Sequence, residues 1–209
     1  NRLELKSGRF RSTLSTLPAD DFPTFDESEP NLTVEADAKE FKLLLDKTSF
    51  AMAHQDVRFF LNGMLIESGQ NFLRAVATDG HRLAKIDSDL PDGANGIPGV
   101  IVPRKTVSEL RMIYETSEDI VTVSLSETKI RFSTSTLILT SKVVDGTFPD
   151  YDRVIPKNNS KKLVIDASEF SQSVDRVATV SSERARAVKL SLSSDKLVLS
   201  VNAPETGLA

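Results

Sequence analysis

Val34-Glu35-Ala36-Asp37-Ala38-Lys39-Glu40-Phe41 reads as a strand that runs into a helix opened by a small polar residue. The same text returns as Val164-Ile165-Asp166-Ala167-Ser168-Glu169-Phe170, and each copy is expected to continue to Leu61 or Leu190 inside a further strand. Working outward, Asp20-Asp21-Phe22-Pro23 recurs as Asp145-Gly146-Thr147-Phe148-Pro149-Asp150. A spacing of about 126–130 residues means copies of one structural unit. Residue 1 falls late in one copy and residue 209 falls midway through another. The expected organisation is the end of one unit at 1–29, a whole unit with its connector at 30–158, and the first half of a third at 159–209. On this reading the chain is a window of a longer protein of at least three units.

The central unit repeats its own element order. Its first half predicts a strand near residues 32–34, an amphipathic helix over about 37–51, and strands at 59–67, 72–78 and 82–87. Its second half predicts a strand at 100–102, a helix beginning at Pro103, and strands at 120–125, 129–133 and 137–144. Proline suits a first helical turn because no N–H is needed there. Val121, Val123 and Leu125 alternate with polar residues, as on a half-buried strand. Residues 68–71 and 126–128 read as hairpin turns, and 91–99 as a loop. Two strand–helix–three-strand halves, with two helices on one side of a mostly antiparallel sheet, make an α+β unit.

Composition excludes several classes of protein. The 209 residues contain no cysteine, so nothing depends on disulfides and a reducing cytoplasm is the expected setting. Apolar runs such as Leu137-Ile138-Leu139 are far too short to span a bilayer, so no membrane partner is expected. The net charge of −4 argues against a globally basic nucleic-acid binder, although a local basic patch can still attract phosphate.

Projection at the helical period gives such a patch. On the second helix Val107, Leu110, Ile113 and Tyr114 face one way, while Arg104, Lys105, Ser108 and Arg111 face the other, with Glu109 at the edge. The first helix turns Phe41, Leu44, Leu45 and Thr48 inward and exposes Lys39, Lys42 and Lys47 against Glu40 and Asp46. A basic face of this kind contacts a phosphate backbone without reading sequence. An ordinary solvated helix shows the same pattern.

Three stretches go beyond scaffolding. In His54-Gln55-Asp56-Val57-Arg58-Phe59-Phe60 an arginine adjoins two aromatics, a combination that pairs phosphate and stacks on bases. Alternation there would put Phe59 and Leu61 on one face and Phe60 and Asn62 on the other. Thr78-Asp79-Gly80-His81-Arg82-Leu83 crowds polar and apolar groups at a hairpin tip whose Asp-Gly alone would make the turn. Phe148-Pro149-Asp150-Tyr151-Asp152-Arg153-Val154-Ile155-Pro156 mixes aromatic, aliphatic and basic residues, as suits capture of a short peptide with hydrophobic anchors. Catalysis fits less well. Asp79 with His81, or Asp150 with Asp152, are the available acid–base or metal pairs, but the chain has two histidines, no cysteine and no glycine-rich phosphate loop. No cofactor, metal site or catalytic residue is therefore expected.

Four blocks resemble the bacterial DNA polymerase III beta subunit family, the replication sliding clamps. They are residues 49–65 (Ser49-Phe50-Ala51-Met52 onward), Val76-Ala77-Thr78-Asp79-Gly80-His81-Arg82-Leu83-Ala84, Val102-Pro103-Arg104-Lys105, and residues 141–151 (Ser141-Lys142-Val143-Val144 onward). The resemblance covers essentially the whole chain. It implies a DNA-clamp fold of tandem units whose helices line the inside and whose sheets lie outside. It also implies a head-to-tail homodimer of the full-length protein, non-catalytic and cytoplasmic, that encircles double-stranded DNA without sequence preference. By matching positions, the family's peptide-binding residues fall on Leu61, Thr78, Gly80, His81, Arg82, Leu83, Pro149, Arg153 and Val154. Their implied partners are the replicative polymerase subunit, the clamp loader and repair polymerases, bound through short hydrophobic motifs. The DNA-facing positions fall on His54, Gln55, Arg58, Phe59, Phe60, Arg104, Lys105 and Arg111. Relatives often carry tyrosine where Phe59 and Phe60 stand, so a hydroxyl contact to DNA is lost here. Most of the first domain and the end of the third lie outside these residues, so ring closure and a complete pocket are not expected of this chain alone. The alternative is a peptide-binding scaffold of the same fold that does not encircle DNA.

Overall fold

Strand β1 (Arg2–Ser7) pairs antiparallel with β2 (Phe10–Ser15) as a hairpin whose Leu3, Leu5, Phe10 and Leu14 are all exposed. The computed structural model describes residues 2–22, 30–115, 120–181, 187–203 and 207–208. Pro23, which closes the first copy of the repeated Asp-Asp-Phe-Pro block, lies outside the described residues. The chain divides into two compact units, Asn1–Pro149 and Asp150–Ala209.

In the first unit, β3 (Leu32–Asp37) leads into α1 (Ala38–Thr48). The helix starts where the Asp37 carboxylate accepts from the N–H groups of Lys39 and Glu40 at 2.8 and 3.1 Å. These are two of the amides a helix start leaves without partners. Phe41, Leu44, Leu45 and Thr48 follow at helical spacing and are buried. The chain then passes through β4 (Gly63–Ser68), β5 (Phe72–Thr78) and β6 (Leu83–Asp89). The second half repeats the order with β7 (Val100–Pro103), α2 (Arg104–Ile113), β8 (Ile120–Leu125), β9 (Lys129–Ser133) and β10 (Ile138–Lys142). Pro103 has φ −58° and ψ 145°, so it ends the strand and the helix begins one residue later than the sequence predicts.

The halves trade their leading strands. The two four-stranded sheets have the orders β10-β9-β8-β3 and β6-β5-β4-β7, and every pairing within them is antiparallel. Thus β3, from the first half, pairs with β8 of the second (Val34 opposite Val123, Ala36 opposite Val121). Reciprocally, β7 pairs with β4 (Leu65 opposite Ile101). The sheets also meet at an edge, where Val144 N–H donates to the Ile101 carbonyl at 2.8 Å. The expected single, mostly antiparallel sheet is therefore two sheets, and the α+β composition stands. Both sheets and both helices share one core, in which the Phe41 ring meets Tyr114 edge-on at 6.2 Å and Phe132 at 5.8 Å. Burial pushes the Tyr114 hydroxyl's pKa up.

The second unit contains a turn of 3₁₀ helix at Tyr151–Arg153, then α3 (Ala167–Ala178), β11 (Lys189–Leu192) and β12 (Leu197–Ser200). Asp166 caps α3 through Glu169 N–H at 2.8 Å, as Asp37 caps α1. The strand expected ahead of α3 is absent: residues 163–165 are exposed and in no sheet. A strand needs a partner for its backbone donors and acceptors, and these three residues have no ladder among the described residues.

Candidate nucleic-acid and peptide contact surfaces

The chain leaves α1 through a 3₁₀ turn at Ser49–Ala51 and has to reverse before β4. Asp56 and Asn62 close that loop. Asp56 N–H donates to Asn62 Oδ1 at 2.9 Å, and Asn62 Nδ2 donates to the Asp56 carbonyl at 2.8 Å. Gln55 takes φ +57°, a conformation costly for any residue with a Cβ. The Arg58 guanidinium lies against the Asp56 carboxylate in a two-point pair, Nε to Oδ1 at 3.0 Å and Nη2 to Oδ2 at 2.8 Å. Arg58 N–H adds a third bond to Oδ1 at 2.8 Å. The Arg58 side chain, then its backbone N–H, holds the Asp56 carboxyl down to about 2.

A strand over residues 59–61 does not form. Leu61 N–H donates to the Arg58 carbonyl at 2.8 Å and Asn62 N–H to the Phe59 carbonyl at 3.0 Å, which makes Phe59–Leu61 a 3₁₀ turn. The period is therefore three, not two. Phe59 points outward with 58% of its surface exposed, Phe60 is half-buried, and Leu61 is 2% exposed. The Phe59 and Phe60 rings meet edge-on at 6.1 Å. His54 and Gln55 are exposed on the same loop. Leu61 is the buried floor of the loop rather than a group presented at its surface.

At the β5–β6 tip Gly80 takes φ +87°, which favours glycine. The Asp79 carboxylate accepts Arg82 N–H at 3.0 Å, His81 N–H at 2.9 Å and Arg82 Nε at 3.0 Å. Those bonds lower the Asp79 pKa, the Arg82 amide contributing most. Thr78 Oγ1 donates to the Arg82 carbonyl at 2.7 Å and accepts Gly80 N–H at 3.1 Å. This satisfied turn leaves His81 and Arg82 exposed and Leu83 half-buried. The Arg82 guanidinium lies 5.7 Å from the centroid of the exposed Phe50 ring.

The tip and the loop touch. Arg58 Nη2 donates to the Asp79 carbonyl at 3.4 Å, and a Cβ at Gly80 would sit 3.2 Å from Arg58 Nη1. Arg58 therefore bridges the two stretches that the sequence treats as separate.

The cationic face of α2 is smaller than its projection implies. Arg104 is half-buried and its Nη1 donates to the Met52 and Ala53 carbonyls at 3.0 and 3.4 Å, so it ties the chain after α1 to α2. Arg111 Nε reaches Asp46 Oδ1 of α1 at 2.6 Å, and Lys42 Nζ reaches Asp46 Oδ2 at 2.6 Å. Burial alone would raise the Asp46 carboxyl, but its bonds to Lys42 and Arg111 bring it below its ordinary value. Lys105 is exposed and has no polar partner among the described residues.

Pro149 is exposed at the end of the first unit. In the second unit Arg153 pairs its Nε with Asp150 Oδ2 at 2.8 Å, and Val154 is 67% exposed. Among the described residues no three His, Cys, Asp or Glu side chains cluster as metal ligands. No described helix is long and apolar enough to cross a membrane. Sequence reasoning missed Asp56, Asn62 and Phe50. The spacing Asp56-x-Arg58 is a signal for the first, since an aspartate two residues ahead can bond the next backbone amides and the guanidinium together.

Residues 35–150 match the DNA polymerase III beta subunit, central domain, and residues 152–209 match its C-terminal domain. The sequence is 46% identical over 212 residues to the beta sliding clamp of Caulobacter vibrioides, covering 100% of this chain and 57% of that protein. It is 45% identical over 204 residues to the beta sliding clamp of Pseudomonas putida, covering 98% and 56%. Among solved structures it is similar to a DnaN sliding clamp from Bartonella birtlesii bound to griselimycin, with a TM-score of 0.94 at 45% identity over 100% of this chain and 57% of that one. It is also similar to the DNA polymerase III subunit beta from Pseudomonas aeruginosa, with a TM-score of 0.90 at 43% identity, covering 100% and 57%. The chain thus spans about 57% of the length of such relatives.

Proposed function

The chain belongs to the DNA polymerase III beta subunit family, and from that premise we propose that its full-length protein is a non-catalytic processivity factor. It encircles duplex DNA as a cytoplasmic homodimer and tethers polymerases, the clamp loader and repair proteins. The domain limits proposed are 1–29, 30–158 and 159–209. The observation that carries the reading is the contiguity of loop 54–60 and tip 78–83 across the Arg58–Asp79 contact. Neither stretch is needed to close the core, yet both are ordered by hydrogen bonds and present exposed Phe59, His81 and Arg82. On the first unit the loop supplies DNA contacts through His54, Gln55, Phe59 and Phe60, joined by Lys105. The tip supplies the floor and polar rim for short hydrophobic peptides. Pro149, Arg153 and Val154 are assigned to peptide contact on the family resemblance.

Mechanistically, few and sequence-blind phosphate contacts allow sliding, because no base-specific bond holds a register. A closed ring is retained topologically, and tethering raises the polymerase's effective concentration at the primer end. The test is retention of the full-length protein on circular and linearised DNA over a series of salt concentrations. Retention on circles that survives salt, with loss from linear DNA, is expected; equal loss from both would end the encircling reading. In parallel, calorimetric titration with a polymerase tail peptide should weaken for Leu83→Ala and Arg153→Ala. Unchanged affinity in either variant would remove that residue from the site.

One observation favours the second reading, a peptide-binding scaffold that does not encircle DNA. Arg104 and Arg111 are committed to internal partners, which leaves α2 with Lys105 as its free cation among the described residues. The circular-DNA assay separates the two readings, since the scaffold predicts peptide binding without retention.

A further inference from the structure

Arg58 directly precedes Phe59 and Phe60 in loop 54–60, yet its guanidinium is already engaged. Two hydrogen bonds from the guanidinium and one from the Arg58 backbone N–H go to the carboxylate of Asp56, which Asn62 fixes in place through its backbone at 2.9 and 2.8 Å. Its outer edge rests on the Asp79 carbonyl and the bare face of Gly80. Planar two-point pairing is the arrangement in which arginine best holds a carboxylate, and a phosphate would have to displace that carboxylate to engage the same two N–H groups. The Arg58 side chain is 50% exposed and that of Asp56 21%, so the anion is the less accessible member of the pair.

We propose that Asp56 is a positioning residue that withholds the Arg58 charge from DNA phosphate, so that the loop meets duplex DNA through Phe59, Phe60 and His54 with one fewer ionic contact than its sequence contains. This deepens the DNA-contact reading above and rests on it. The physical consequence is weak contact by design of the loop. Each phosphate neutralised by a cation adds about 0.9 to the slope of log affinity against log salt. A clamp that has to slide is served by a shallow slope, and Asn62 and Gly80 preserve it by keeping the pair closed.

The test measures binding of a short mixed-sequence duplex to the full chain by fluorescence anisotropy across a salt series. Asp56→Asn should tighten binding at low salt and steepen the slope by about 0.9. Asp56→Glu, which keeps the pair, should retain the wild-type slope. The double variant Asp56→Asn/Arg58→Ala should lose the gain. Asp92→Asn, an exposed acid in loop 91–99, is the charge-matched control and should steepen the slope less. An unchanged slope in Asp56→Asn overturns the proposal, as does a gain that persists in the double variant or is matched by Asp92→Asn. Wild-type protein without any salt-dependent affinity would instead overturn the DNA-contact reading itself. Thermal melting of each variant identifies loss of the loop's structure as the cause of any weakened binding, and weakened binding in a folded Asp56→Asn protein also overturns the proposal.

Discussion

Helices α1 and α3 begin alike and end up in different surroundings. Each is opened by an aspartate cap, Asp37 and Asp166, followed three residues later by Glu40 or Glu169 and then by Phe41 or Phe170. Yet Phe41, Leu44 and Leu45 are at most 3% exposed, whereas α3 has no buried residue and Phe170 and Val174 are half-buried. The difference lies in the strands. In the first unit each half receives the leading strand of the other, so two four-stranded sheets close over the helices. In the second unit the described strands form only two-stranded ladders, β11 with β12 and Asn202–Ala203 with Gly207–Leu208, and the segment ahead of α3 pairs with nothing described. An amphipathic pattern therefore makes a helix with a face to bury, while burial waits on strands from elsewhere in the chain.

The largest expected effect tests that contrast directly. Leu44→Ala should destabilise the first unit by about 2–5 kcal/mol, the usual range for emptying a packed leucine site. Val174→Ala in α3 should cost below about 1 kcal/mol because little is packed against it. Amide-exchange protection resolved by segment would check both, and equal losses would erase the distinction between the two helices.

The caps come next. Asp37→Ala should cost about 1 kcal/mol, since it strips acceptors from the Lys39 and Glu40 amides. Asp166→Ala should instead appear as fraying of the first turn of α3, visible in the exchange of Glu169. A fully protected first turn in that variant would show that α3 is held by packing after all.

The smallest effects belong to surface charge. Arg111→Ala should cost below about 1 kcal/mol, because the pair with Asp46 is partly solvated. A larger loss in chemical denaturation would mean that the contact between α1 and α2 depends on it.

Acidity offers a fourth handle on the first unit. Asp46, Asp56, Asp79 and Asp87 all have carboxyls held below their ordinary value by arginine, lysine or backbone donors. A depressed folded pKa stabilises above the unfolded value near 3.8 and loses that contribution as pH falls through the folded value, about 2 for Asp56. Stability of the first unit, followed by urea unfolding, should therefore decline from about pH 4 downward. A flat profile to pH 2 would show that these pairs do not act in solution.

The turn at the β5–β6 tip could be read in advance because it rests on local chemistry. The tip 78–83 was legible from Asp79-Gly80, where a positive φ and an acceptor for two amides follow from residue type. Alternation put Phe59 on the face of Leu61, and the structure separates them, Phe59 exposed and Leu61 buried, since the local period is three and not two. The internal partners of Arg104 and Arg111 were not legible because a helical projection shows direction and cannot show what approaches from another element. The Met52 and Ala53 carbonyls and the Asp46 carboxylate lie 52, 51 and 65 residues away in sequence.

By itself, the sequence determined the repeat, the two strand–helix–three-strand halves, the aspartate-opened helices and the glycine turn, because each depends on side chains within a few residues. Only the tertiary structure decided that the halves exchange leading strands, which cations stay free, and that Arg58 joins loop to tip. Those outcomes depend on hydrogen bonds between groups far apart in the chain, where strand pairing and ion pairing are chosen by which surfaces the fold brings within reach.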